Sequence, residues 1–236
     1  MPAFPLDALG GFALLPFAAL GALLGLDVVS FPQAMLSRPL VAATLAGALA
    51  GRPGAGLLAG AVLELFALET LPVGASRYPE WGSASVVGGA LYAAQPDGAA
   101  GGLVLSVLAA LVTAYVGGAS MVVLRRLNGQ LARAHLERLA TGSNRSVVGL
   151  QLAGAAADLL RGFMLTVVAL GASQPLVAFG RAGWGTDTRL SRAVVVGLAA
   201  TVAGAAVWKL FHAVPRARWL FVGGIAAGLL AMQALP

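Results

Sequence analysis

Residues 39–70 read PLVAATLAGALAGRPGAGLLAGAVLELFALET, two apolar stretches parted by Arg52-Pro53-Gly54. At 1.5 Å per residue the first stretch reaches only about 20 Å, short of a hydrocarbon core of about 30 Å. Short, Gly/Pro-interrupted apolar segments point to re-entrant or broken helices that build a transporter's binding site near the bilayer midplane. The sequence pattern therefore predicts a helical hairpin at 39–70, with two tilted short helices as the competing reading.

The flanks supply the lipid. Apolar runs recur at 8–26, 98–124, 147–180, 193–208 and 217–235. Each is near or above the roughly 17 to 25 residues a spanning helix needs. Of the 236 residues 59% are hydrophobic and 10% charged, against about a quarter charged in a soluble domain. These features predict an all-α, polytopic helical membrane protein. It would form a single transporter domain over 1–236, with a short cytoplasmic amphipathic helix at about 125–145. The first 37 residues carry no Lys or Arg, so a secretory n-region is not expected and the first run would be retained.

Composition also excludes chemistry. With zero cysteines and two histidines, His135 and His212, disulfides, thiolate metal sites and a phosphocysteine are out of reach, and no cofactor is expected. The net charge of +6 would suggest nucleic acid in a soluble chain. Here the basic residues lie between spans, where the positive-inside rule accounts for them. The longest charged stretch holds Arg125, Arg126, Arg133, Arg138 and Arg145 against Glu137, which predicts that it is cytoplasmic. Counting back from it puts 71–97 outside as a loop, dips the hairpin in from that side and leaves the N-terminus cytoplasmic. Counting forward puts 181–192 outside despite Arg181, Arg189 and Arg192. Trp184, Trp208 and Trp219 flank span ends, as interfacial aromatics do.

The candidate site follows from the intramembrane charges. An ionised Glu at mid-membrane costs about 2.5 to 3.5 kcal/mol on insertion scales, so it faces a partner, water or a ligand. Glu64 lies between Leu57–Leu63 and Leu65–Leu68 and cannot easily snorkel. It reads as a ligand contact, with an arginine partner as the alternative. Glu69, beside Thr70, is near a helix end where water reaches it. The two glutamates stand about 140° apart on a helix and are not a catalytic dyad. Asp158 and Arg161, at i and i+3, read as a buried ion pair or as part of a polar pathway. Gln33 and Arg38 stand just before the hairpin. No HExxH, Walker or Gly-x-Ser-x-Gly motif is present. Desolvated carboxylates accept hydrogen bonds from vicinal hydroxyls, which makes Glu64 a natural sugar anchor. The same residues leave three other readings open: a proton-coupled carrier, an intramembrane enzyme using Glu64 or Glu69 as base, and a structural or regulatory membrane subunit.

Residues 37–85, SRPLVAATLAGALAGRPGAGLLAGAVLELFALETLPVGASRYPEWGSAS, resemble the membrane IIC subunit of the mannose-fructose-sorbose family of the bacterial phosphotransferase system. The resemblance rests on Arg38, Pro39, Leu40, Gly60, Leu63, Glu64, Gly74, Ala75, Pro79 and Glu80. It continues more weakly through the basic stretch and the span carrying Arg161. It implies a sugar-translocating subunit that moves in elevator fashion, pairs with a IID membrane subunit in a hetero-oligomer and receives phosphate through IIA and IIB. Phosphohistidines would belong to those subunits. Glu64 matches the family's motif glutamate and is the sugar ligand the resemblance implies; with Gln33, Arg38, Glu69 and Arg161 from the charge reading, it makes the expected binding set for a hexose-type sugar. This chain reads LPVGA where the family often has Trp-Asn-Ile-Gly-Ala, so Pro72 stands in place of an Asn.

Overall fold

The computed structural model describes residues 11–27, 30, 32–70, 78–140, 142 and 144–234. After a 3₁₀ turn at Gly11–Leu14 come α1 (Leu15–Asp27), α2 (Pro39–Leu49), α3 (Pro53–Ala67), α4 (Trp81–Ala93) and α5 (Gly102–Ala134). They are followed by α6 (Leu136–Ala140), α7 (Asn144–Ala182), α8 (Thr188–Phe211) and α9 (Ala217–Ala234). Among the described residues there is no strand, so the all-α reading holds. Three helices, α5, α7 and α8, are long and apolar enough to cross a membrane, whereas α1, α2, α3 and α9 are shorter apolar helices. The first apolar run thus yields a described helix of 13 residues, shorter than a full span. Residues 125–140 lie in the C-terminal part of α5 and in the five-residue α6, separated at His135.

The broken hairpin is α2 and α3. Pro39 and Pro53 each open a helix, where the missing N–H has no intrahelical role. Between the helices Gly51 takes φ +74°, a left-handed turn that glycine adopts without steric cost, and Arg52 N–H donates to the Gly47 carbonyl at 2.7 Å. The two helices pack through small residues. A Cβ at Gly56 would come within 2.8 Å of Gly47 Cα, and one at Gly60 within 2.8 Å of the Pro39 carbonyl. Gly56 and Gly60 form a small-xxx-small stripe of the kind that lets membrane helices touch backbone to backbone. Gly56→Leu is accordingly expected to lower stability by about 1–3 kcal/mol through overpacking. Gly54→Ala, where nothing lies within 4 Å, should stay within about 0.5 kcal/mol. Thermal unfolding of the two purified variants checks the contrast.

The centre of the bundle is α4. Every residue from Gly82 to Ala93 is buried, against α1, α2, α3, α5 and α7. Its glycines set the distances: Gly89 sits on Ala43 of α2, Gly88 on Ala110 of α5 and Leu63 of α3, and Gly82 on the Leu24 backbone of α1. This helix corrects the expectation that 71–97 forms an outer loop. Its 13 residues include two serines and three glycines and no lipid-facing leucines, because every face meets protein. Residues 71–77 lie outside the described residues.

The two ends of the bundle are distinct. Arg125 Nη2 donates to Tyr78 Oη at 2.7 Å, so the start of α4 lies at the Arg125 end. At the other end Thr188 Oγ1 donates to the Gly98 carbonyl at 2.6 Å, Arg192 donates to Tyr92 Oη at 2.9 Å, and Trp184 packs over Gly101. The 181–192 and 94–101 connections therefore share an end, opposite the basic stretch. The hairpin's open end, with Arg38 and Thr70, lies beside Tyr78 and Pro79, and its tip is held at the Trp184 end, where Arg52 donates to the carbonyls of Ala93 and Gln95 and pairs with Asp97. This reverses the direction expected for the hairpin. It reverses α1 too: Gly21 abuts Thr166 and Gly25 approaches Arg161, so α1 runs antiparallel to α7 and ends at the Arg125 end. The difference originates in 71–97: α4 occupies Trp81–Ala93 as a buried helix, and one additional helix inverts the direction of every element before it. If the Arg125 end is cytoplasmic, an impermeant maleimide applied outside should label Gly185→Cys. It should label Gln130→Cys only after permeabilisation. The cysteine-free chain makes both readouts free of background.

Candidate functional site

Two polar clusters, one at the surface and one in the interior, lie toward the Arg125 end. The first spans the hairpin mouth. Arg38, the residue preceding α2, pairs with Glu64 of α3 through Nη2 and Oε1. The other carboxylate oxygen accepts from Leu40 N–H at 3.1 Å. The Arg38 and Glu64 side chains are 36% and 20% exposed, so the pair lies at the surface of the hairpin rather than in its core. Leu40 beside it and Leu45, Leu49 and Leu57 farther along the hairpin are exposed, which leaves a charged pair at one end of an apolar surface. Behind it a cavity of about 60 Å³ is bounded by Arg38, Pro39, Ala67, Thr70, Tyr78 and Trp81. Trp81 Nε1 donates to Thr70 Oγ1 at 3.3 Å.

The loop that delivers Arg38 is anchored by Asp27, which no sequence motif singles out. At the end of α1 and only 2% exposed, its carboxylate accepts from Ala34 N–H at 2.8 Å and from Ser37 N–H at 2.9 Å. Gln33 and Met35 take φ of 57° and 60° within that loop, a region sparsely used by residues with a side chain. Such strain persists only when surrounding structure over-determines it, and the two Asp27 bonds do so here.

The second cluster is internal. Arg161 Nε donates to Asp158 Oδ1 at 2.8 Å, with side chains 9% and 4% exposed. Arg161 Nη1 reaches Ser120 Oγ at 3.3 Å, and Ser30 Oγ donates to Asp158 Oδ2 at 3.4 Å. Glu80, 1% exposed, caps α4 by accepting from Ser83 N–H at 3.0 Å, while its own N–H donates to the Ala114 carbonyl at 2.8 Å. Glu80 Oε2 and Arg161 Nη2 have no hydrogen-bond partner among the described residues, and both carboxyl and guanidinium border Gly25. From Asp158 a crevice of about 750 Å³ opens between α5 and α7, bordered also by Ser30, Arg125, Asn128 and Gln151.

Of the five residues expected to bind sugar, the structure joins Arg38 and Glu64 directly. Gln33 is exposed in the Asp27-anchored loop, and Glu69 is exposed just beyond α3. Arg161 belongs to the internal cluster. Among the described residues no group of His, Asp and Glu is arranged to hold a metal ion.

A helical membrane protein with a broken hairpin, an ion pair at the hairpin's mouth and a buried charge cluster is built like a transport protein, whose irregular helices gather at a polar site. Sequence comparison makes the class specific. The family described as the PTS system sorbose-specific IIC component matches residues 12–182, most of the chain, and the chain belongs to that family. It is thus a IIC-type membrane component of a sugar phosphotransferase system. The fold is also similar to a solved structure described as "Structure of membrane protein", with a TM-score of 0.70, 19% identity, and coverage of 96% of this chain and 92% of that one. At that identity the likeness concerns the fold alone. No curated protein matches the chain in sequence.

Proposed function

We propose that this chain is the sugar-translocating IIC subunit of a mannose-family permease, one transporter domain that binds a hexose-type sugar and presents it for phosphorylation by IIB. The observation that carries this is the Arg38–Glu64 pair at the mouth of the broken hairpin. A carboxylate and a guanidinium side by side offer acceptors and donors to vicinal hydroxyls, and hydrogen bonds to charged groups are the stronger kind. Asp27 holds the preceding loop, and Trp81 and Tyr78 supply aromatic surface behind it.

The cavity of about 60 Å³ behind the pair is well below the roughly 300–1,000 Å³ of small-molecule sites. Sugar binding therefore requires either movement of the hairpin against α4 or a second subunit completing the site. The exposed leucines along the hairpin favour the second subunit, since a charged pair on a lipid-facing surface is costly. A IID membrane subunit is the natural partner and yields a hetero-oligomer in the bacterial inner membrane. The α5–α7 crevice, with Asp158, Asn128 and Gln151, is a polar route from the interior to the end where a cytoplasmic IIB would act. An elevator motion would carry the hairpin with α4, to which α2 and α3 are packed. The experiment is uptake of labelled sugars in cells with this chain, its membrane partner and the phosphoryl donors. Sugar phosphate formed without dependence on this chain would reject the reading.

A further inference from the structure

The last two helices hold a site of different chemistry. Helices α8 and α9 run antiparallel but splay apart, with Trp208 meeting Phe221 edge-to-face at 5.8 Å. Between them lies a cleft of about 520 Å³, bordered by Gly204, Val207, Trp208, Phe221, Gly224 and Ile225. At the α8–α9 corner it adjoins a second pocket of about 260 Å³, bordered by His212, Arg216, Arg218 and Trp219. The two share Trp208, Val214 and Ala217, so an apolar cleft and a cationic pocket are continuous. Arg216 turns the corner at φ 64°. The Arg218 guanidinium lies 5.8 Å from the Trp219 ring centroid. His212 Nδ1 donates to the Lys209 carbonyl at 2.9 Å. From 193 to 236 the sequence has Lys209, Arg216 and Arg218 but no Asp or Glu.

We propose that this corner binds an anionic glycerophospholipid, with its phosphate at Arg216 and Arg218 and an acyl chain in the α8–α9 cleft. Three features select that ligand. The cations lack an acidic neighbour in their own segment, so their counter-charge comes from outside. The cleft is lined by apolar side chains and opens along two bilayer-facing helices, so its filling is hydrocarbon. Helix α8 leaves the Trp184 end and, over 24 residues, rises about 36 Å to bring the corner to the Arg125 end. A basic pocket between helices on the cytoplasmic side, where anionic lipid concentrates, suits such a headgroup.

The test uses the purified full chain in mild detergent, with retained lipid counted by native mass spectrometry after adding phosphatidylglycerol, phosphatidylcholine or inorganic phosphate. The wild type should prefer phosphatidylglycerol over phosphatidylcholine by about thirtyfold, the ratio that two surface cations supply. Arg216→Gln/Arg218→Gln should bring that ratio to about one while phosphatidylcholine is still retained. Gly204→Leu should reduce both lipids alike. It fills the cleft where an added Cβ would meet only Phe221, at 3.7 Å. An unchanged ratio in the double arginine variant would place the lipid elsewhere and overturn the proposal. So would displacement of phosphatidylglycerol by inorganic phosphate at equal concentration, which would mark a free-anion site. Loss of the lipid on adding the partner membrane subunit would give the cleft to protein instead.

Discussion

Replacing Glu64 by Gln should reduce sugar uptake by about tenfold to a hundredfold while the protein still inserts and folds. That range corresponds to the loss of one charge-assisted hydrogen bond to a sugar hydroxyl, about 1.5–3 kcal/mol. Folding survives because the amide oxygen of Gln can still accept from Leu40 N–H, the bond that ties α3 to the start of α2. Arg38, 36% exposed along its side chain, can reach water or a headgroup when its partner is neutralised, so the stability cost should stay near 1 kcal/mol. The rival role for Glu64, a clamp across the hairpin mouth and nothing more, predicts a different pattern. For a clamp, Arg38→Gln/Glu64→Gln, which removes both charges together, should recover uptake along with stability. For a sugar ligand the double variant recovers stability and stays inactive.

Asp158→Asn should be the most destabilising single substitution at a charged site. It leaves the Arg161 guanidinium, 9% exposed, in the interior without its hydrogen-bonded carboxylate. Breaking a buried pair on one side costs about 3–5 kcal/mol, comparable to the whole stability of many domains. Removing both charges in Asp158→Leu/Arg161→Met should restore part of the loss, because an apolar pair avoids the desolvation of two ions, while Glu80 loses the guanidinium that borders Gly25 beside it. Thermal unfolding of the detergent-purified variants measures the cycle. Wild-type stability in Asp158→Asn would mean that Glu80, the other carboxylate near Arg161, neutralises the guanidinium unaided. Uptake by the restored double variant then separates roles. If Arg161 serves the polar route, the protein is stable and slow.

How far the sequence revealed these arrangements depended on what each residue faces. The hairpin was legible because its signals are local: Pro39, Pro53 and Gly51 act on their own backbone, and Gly56 and Gly60 recur at helical spacing. The Asp158–Arg161 pair was legible for the same reason, as an i, i+3 neighbour on one helix. Helix α4 was not. Its Gly, Ser and Ala residues carry little hydropathy, and what makes it a central helix is the surface of five neighbours. Long-range partners were beyond reach as well: Arg38 meets Glu64 across 26 positions and Arg125 meets Tyr78 across 47. Glu64 was read with an arginine partner as an alternative, and the structure supplies Arg38 as that partner without deciding between clamp and ligand. Asp27 escaped notice because its task, holding two loop N–H groups, leaves no mark in composition.

The most direct test of the permease reading is accumulation of labelled sugar phosphate in cells that express this chain with its neighbouring membrane subunit. A panel of hexoses including sorbose would be assayed with and without the phosphoryl-donor proteins. The account predicts sugar phosphate that requires the donors and falls at least about tenfold in Glu64→Gln. Free sugar accumulating without donors and collapsing with the proton gradient would contradict it and identify a proton-coupled carrier.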